Sequence, residues 1–286
     1  MAKRFLGTVM VLLFIFLSAP IDASAKTYTN KEDVYNIIRD NLLAHNEKFT
    51  IKMSLKTMGA IGTKTDLFEI VAALDDKNTS KDADYLKLSV TRWSASWKWS
   101  NMSSTSSLTF SAEYETTAEQ EEKVDAKIES ALKALNLEDA SDYEKVKAIH
   151  DYLIERISYD RTLRKHSAYD ALINKSAVCE GYATSAYRLF TDAGLEARII
   201  TGRAGGGPHA WNIVKVDDEW YDIDLTWDDP ITNTGEQLLR YDYFLKSEKD
   251  FSDHIRASEF STKAFLKAYP MAVQSYDAEG MSNRNE

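Results

Sequence analysis

The sequence predicts an α+β protein built from two units, and three observations carry that prediction. Amphipathic helical patterns follow capping signatures at Thr117 and Ser141. Strand-like alternation marks Tyr85–Trp99 and Leu108–Tyr114 in the first half, and His209–Val216 and Trp220–Trp227 in the second. The chain has 286 residues, 44% hydrophobic and 28% charged, which is enough to bury a substantial core. Its net charge is −10 and it has no basic stripe, which argues against nucleic acid as a partner.

The N-terminus reads as a separate object. Lys3 and Arg4 precede an apolar run from Phe5 to Leu17, and Ala23-Ser24-Ala25 fits a small-x-small cleavage site. The run is short for a membrane span. Residues 1–25 are therefore expected to be a secretory signal peptide cut after Ala25, leaving no stable span; an uncleaved anchor is the alternative. In a secreted chain with one cysteine there is no internal disulfide. Cys179 is then either a buried inert thiol or one kept for reactivity.

Residues 27–117 are expected to form a small α+β domain. Asn30 is a helix cap, and Val34, Ile37, Ile38 and Leu42 follow at helical spacing, predicting a helix over 31–45. Phe49–Met53 reads as a strand, while Leu67, Phe68, Ile70, Val71 and Leu74 fit helix or strand equally. Tyr85–Trp99 alternates along its whole length and a Ser/Thr-rich turn at 103–107 leads into Leu108–Tyr114. Trp93, Trp97 and Trp99 are expected to fill one sheet face rather than form a ligand platform.

Residues 118–270 form the second expected domain. Thr117 and Gln120 make a capping box before Val124, Ile128, Leu132 and Leu135; Ser141 and Glu144 make another before Val146, Ile149, Leu153 and Ile157. His150 and His166 read as packed or half-exposed histidines. Residues 271–286 are polar and expected to be a flexible tail. No cluster shows zinc spacing or a calcium loop, so neither metal nor cofactor is expected.

Tyr182, Ala183, Ala186, Tyr187, Leu189 and Phe190 give an amphipathic helix ending before Gly194, which places Cys179 at its N-terminus. Unpaired N–H groups and the positive end of the helix dipole favour a thiolate there, and the same donors are placed to hold an oxyanion. Glu196–Thr201 reads as a strand and Gly205–Pro208 as a mobile loop. Joining the next two runs through Asp217-Asp218-Glu219 sets Val216 opposite Glu219, Val214 opposite Tyr221, Asn212 opposite Ile223 and Ala210 opposite Leu225. That register makes one side mainly apolar and gathers His209, Trp211, Asp224 and Thr226 on the other; a one-residue slip would break the segregation. Asp224 is then the diagonal neighbour of His209. Asp222 shares the face and is the rival carboxylate, one strand step farther away. These residues suggest a cysteine nucleophile, a histidine base and an orienting aspartate.

Val178-Cys179-Glu180-Gly181-Tyr182-Ala183, His209-Ala210-Trp211-Asn212 and Trp220-Tyr221-Asp222-Ile223-Asp224-Leu225-Thr226-Trp227 together resemble the transglutaminase-like superfamily. The resemblance spans roughly 140–255, including Ile157-Ser158-Tyr159-Asp160 and Tyr169-Asp170-Ala171-Leu172. It implies a papain-like core, with the cysteine helix packed on an antiparallel sheet carrying histidine and aspartate, and a triad of Cys179, His209 and Asp224. It also implies thioester-mediated acyl transfer or hydrolysis at amide bonds of protein or peptide substrates at the cell surface. A dedicated cysteine peptidase and a catalytically silent scaffold of the same fold are the alternatives. The first unit looks like the accessory domain that precedes such cores in secreted proteins of Gram-positive bacteria. Calcium-site features of the animal enzymes are missing. Tyr241–Leu245 is expected to add a strand that closes the sheet, with His254 playing a structural part in a following helix or loop.

Overall fold

A computed structural model describes residues 26–62, 66–76, 78–100, 102–230 and 238–277. The expected leader at 1–25 and the end of the expected tail, 278–286, lie outside the described residues.

The first half runs β1 (Thr27–Tyr28), α1 (Lys31–Leu43), β2 (Lys48–Ser54), α2 (Leu55–Ile61), α3 (Leu67–Ala72), α4 (Ala83–Ser89), β3 (Val90–Trp99) and β4 (Thr105–Tyr114). Asn30 caps α1 by accepting from the Glu32 N–H. The sheet order is β1-β2-β4-β3, with β2, β4 and β3 antiparallel. Its inner face carries Phe49, Ile51, Met53, Leu108 and Phe110 against Val34, Ile38 and Leu42 of α1 and Phe68 of α3. Each such side chain contributes about 1.5–3 kcal/mol by leaving water. Trp93 stacks on Phe110 at 5.6 Å and Trp97 borders the same cluster, so these two fill the face; Trp99 is exposed.

One element departs from the sequence expectation. Residues 83–89 are helical, and the strand begins only at Val90. The reason lies in tertiary packing, which overrides a period-two pattern. In helical geometry Leu86 enters the first core, Tyr85 enters the second, and the Tyr85 hydroxyl donates to Glu121 at 2.8 Å.

The second half runs α5 (Ala118–Leu135), α6 (Asp142–Ile154), β5 (Ser158–Tyr159), α7 (Ala168–Leu172), β6 (Ser176–Ala177), α8 (Cys179–Asp192), β7 (Ala197–Ala204), β8 (Gly207–Val216), β9 (Glu219–Ile223), β10 (His254–Arg256) and α9 (Lys263–Ala268). Both capping boxes are present at α5 and α6. Helix α8 is central rather than amphipathic: every residue from Gly181 to Phe190 is buried, including Arg188. Arg188 Nε donates to Ser80 Oγ at 2.6 Å, which ties the helix to the first half, and Nη2 donates to Asp125 Oδ1 of α5 at 2.8 Å.

The second sheet has the order β10-β7-β8-β9, antiparallel throughout. Gly205 (φ 56°) and Gly206 (φ 83°) form a two-residue turn closing Ala204 on Gly207, so the expected mobile loop is a tight hairpin and Pro208 already lies in β8. Asp217 and Asp218, at φ 49° and 68°, make a similar turn between β8 and β9. The β8–β9 register pairs Val216 with Glu219, Val214 with Tyr221 and Asn212 with Ile223. Beyond Ile223 the chain turns away, so the pairings of Ala210 with Leu225 and His209 with Thr226 do not form.

Tyr241–Leu245 is a turn, not a closing strand; Leu245 takes φ 46°, which breaks an extended run, and a single bridge joins Asp222 to Lys246. The sheet grows at its other edge instead, where β10 joins β7. The expectation of a free tail from 271 also fails for 271–277. Met271 bridges Trp220, the Ala272 N–H donates to Trp220 O at 2.8 Å, and Tyr276 stacks on Tyr143. Among the described residues, no helix is long and apolar enough to cross a membrane.

Candidate active site

Cys179 is the first residue of α8, and a tight scaffold fixes its position. β5 and β6 pair in parallel, setting Tyr159 beside Ala177. The Asp160 carboxylate accepts from the N–H groups of Thr162, Arg164 and Lys165, which holds its carboxyl down at about 2. That closed loop presents the Lys165 carbonyl to the Val178 N–H at 2.8 Å, one residue before the thiol. Gly181 is required by close approach: a Cβ there would lie 2.5 Å from Ala177 Cβ and 3.0 Å from Ser167 O. The first turn of α8 thus packs directly on β6 and on the cap of α7.

His209 sits near the start of β8, opposite Gly202 of β7. Its Nε2 lies 2.6 Å from Asp224 Oδ2, and its ring lies beside Cys179. Since Asp224 occupies Nε2, Nδ1 is the nitrogen left for the thiol. Burial opposes a charge on this ring, but the hydrogen bond to Asp224 and the nearness of Cys179 prevail and push it up to about 10. Asp224 follows the last residue of β9 in a turn. Its Oδ1 accepts from the Thr226 and Trp227 N–H groups at 2.9 and 3.3 Å, and its own N–H donates to Tyr243 O. Burial works against its charge, yet the bonds from His209 and His254 hold its carboxyl below the usual range.

The structure therefore brings Cys179, His209 and Asp224 together, although a turn supplies the contact that strand pairing was expected to give. Asp222 is engaged elsewhere. Trp211 Nε1 donates to its Oδ1 at 2.9 Å, and Arg256 Nη2 reaches both oxygens at 3.0 and 2.9 Å. His150 is fully buried between Asp151 and Asp228, and His166 pairs with Glu180 at a partly exposed position. Sequence reasoning missed two neighbours of the site. His254, placed by β10, has Nε2 3.0 Å from Asp224 Oδ2. Asp160, marked in the sequence only by the family likeness, builds the loop that anchors α8; the turn-forming Asp-x-Thr-x-Arg spacing was its available signal.

Among the described residues, His209, Asp224 and His254 have candidate metal-ligand atoms within 4.8 Å of one another. Their separations of 2.6 and 3.0 Å are those of hydrogen bonds. Two ligands about 2.0–2.1 Å from a tetrahedral zinc ion would stand roughly 3.3 Å apart. The spacing is that of a hydrogen-bonded chain.

Part of the chain is similar to known proteins. Residues 130–225 match the family model described as the transglutaminase-like superfamily. Human kyphoscoliosis peptidase is 26% identical over 176 residues, 46% of this chain and 27% of that protein. Its mouse counterpart is 29% identical over 121 residues, 36% of this chain and 18% of that protein. The chain thus spans about a quarter or less of the length of these relatives. A crystal structure of a TGase aligns over 69% of this chain and 58% of its own, with 20% identity and a TM-score of 0.35. With helices packed on antiparallel sheets and this sequence match, the chain carries a domain of the transglutaminase-like superfamily.

Proposed function

We propose that this protein is a secreted or cell-surface enzyme that uses Cys179 as nucleophile, His209 as general base and acid, and Asp224 as orienting carboxylate. The observation that carries the reading is the buried His209–Asp224 hydrogen bond placed beside Cys179 at the N-terminus of a buried helix. Residues 1–25 serve as the leader on this reading, 27–117 as an accessory domain and 118–270 as the catalytic one.

The chemistry follows from the site. His209 takes the thiol proton, and the thiolate attacks an amide carbonyl carbon of a protein or peptide. The carbonyl oxygen gains negative charge and is met by N–H groups at the start of α8. Collapse breaks the C–N bond, and the leaving amine takes the proton from His209, leaving a thioester on Cys179. An amine or water then gives up a proton to His209 and attacks the thioester, which releases the new amide or acid and restores the thiol. The two curated relatives are named peptidases, which favours water as a second reading of the acceptor.

The test uses the full chain with a glutamine-bearing protein and a labelled primary amine, followed by release of ammonia and of peptide fragments. Incorporation of label identifies transfer; fragments or ammonia without label identify hydrolysis. Cys179→Ala is expected to abolish either product with the fold intact. Full activity in that variant would end the proposal. Iodoacetamide labelling near pH 6 separates enzyme from silent scaffold: fast modification slowed by His209→Ala supports the ion pair, and a rate no higher than that of a free thiol supports the scaffold.

A further inference from the structure

Asp224 serves a second imidazole. Its Oδ2 faces His209 Nε2 at 2.6 Å and His254 Nε2 at 3.0 Å. The other nitrogen of His254, Nδ1, lies 2.8 Å from Asp253 Oδ1, and Asp253 Oδ2 accepts the Tyr243 hydroxyl at 2.7 Å. An ionised carboxylate can only accept. Asp253 remains ionised like Asp224, because burial is outweighed by the bonds from Tyr243 and His254. With a carboxylate on each side, both ring nitrogens of His254 lie at hydrogen-bond distance from an acceptor. The ring is fixed in place. Its side chain is fully buried, stacked on Phe251 at 3.9 Å and flanked by Trp211, Trp227 and Tyr243.

We infer that His254 is a positioning residue that acts on His209 through Asp224: by sharing one carboxylate oxygen, it limits how firmly His209 holds its proton. The inference rests on the Cys179–His209–Asp224 reading. Its chemical sense lies in the second half of the reaction. A general acid must release its proton, and works best when its affinity lies near the working pH. An imidazolium bound to a dry carboxylate with nothing to offset it would be a poor donor to a leaving amine. The two rings lie 5.4 Å apart, and a carboxylate oxygen shared between two donors attracts each of them less.

The other charged groups near the pair are Cys179 beside His209, Asp228 behind Asp224, and Asp222 with Arg256 beside His254. Asp222 and Arg256 offset one another, and Asp228 is bonded to His150. All are unchanged in the variants below.

The experiment follows the histidine ring signals of the full chain by NMR across pH. The chain has five histidines, and the His209 signal is identified by its loss in His209→Ala. His254→Gln keeps a donor amide and removes the imidazole. Asp253→Asn leaves the ring and removes the carboxylate that faces its Nδ1. In His254→Gln the His209 midpoint is expected to rise by about one pH unit, a tenfold gain in proton affinity. Asp253→Asn is expected to move it the same way by less. A midpoint that stays or falls in His254→Gln overturns the inference, and a lowered melting temperature with an unmoved midpoint marks His254 as merely structural. If His254→Gln does not fold, the half-exposed Asp253→Asn decides by the same criterion. Iodoacetamide labelling of Cys179 in the same samples reports on the triad separately, so failure of that reading shows as slow alkylation whatever the His209 midpoint does.

Discussion

Strands β2 and β8 hold comparable places, each inside a four-stranded sheet, yet they face different surroundings. Along β2 buried and exposed residues alternate, with Lys48, Thr50 and Lys52 in water. Along β8 every residue from His209 to Val214 is buried. One face of the second sheet rests on α8; the other is covered by Phe251, Phe260 and the segment around α9. Among the described residues, no strand of the first sheet buries an acidic or basic side chain, whereas the second holds His209, Asp222, His254 and Arg256 out of water. A sheet with a wet face can only stabilise. A sheet covered on both sides can also hold partnered charges where their interactions are strong.

That contrast can be broken by experiment. The largest effect is expected at Asp224. On the proposed reading, Asp224→Asn should lower kcat/KM on a peptide or glutamine substrate on the order of 10³–10⁴-fold, because His209 loses its orienting carboxylate. A loss below tenfold would mean that the buried chain of hydrogen bonds does not serve catalysis. Next comes stability. Arg256→Met leaves Asp222 buried without its cation and should cost about 3–5 kcal/mol in urea unfolding. In the first sheet Arg92→Ala, which removes an exposed pair with Glu113, should cost at most about 1 kcal/mol. Equal costs would erase the distinction between the sheets.

A further effect is a pH term. His209 binds its proton more tightly folded, with its value raised from 6.5 to about 10. It therefore adds stability that is fully present below pH 6.5 and is lost as pH rises through about 10. His209→Gln should flatten the wild-type decline over that window by on the order of 1–3 kcal/mol, measured by urea unfolding at successive pH values. An unchanged slope would contradict the raised affinity.

Much of the site is legible in the amino-acid sequence, because hairpin register is a local property. Val216, Val214 and Asn212 can face their partners in only one way without sending apolar side chains to the wrong side, and the observed ladder has that pairing. The helix behind Cys179 is legible for a similar reason. Legibility ends where distant segments decide the outcome. Tyr85 and Leu86 point into different cores, so no single period describes α4. β10 has three residues, too few to carry a pattern, and its partner β7 lies far back in the chain. His254 is therefore visible in the sequence only as a polar residue after an aspartate. The turn at Asp224 escapes as well, since a ladder continued to Thr226 satisfies the same alternation.

The late position of β10 has a consequence for the life of the molecule before it is finished. A chain is made from its N-terminus, and its units fold as they emerge. Cys179 leaves the ribosome ahead of His209 and Asp224, and Asp224 lacks the Tyr243 carbonyl and the His254 ring until the segment through Arg256 has closed on β7. A nascent or truncated chain ending after Thr226 would hold cysteine, histidine and aspartate without the Tyr243 carbonyl and the His254 ring that brace the aspartate from the far side.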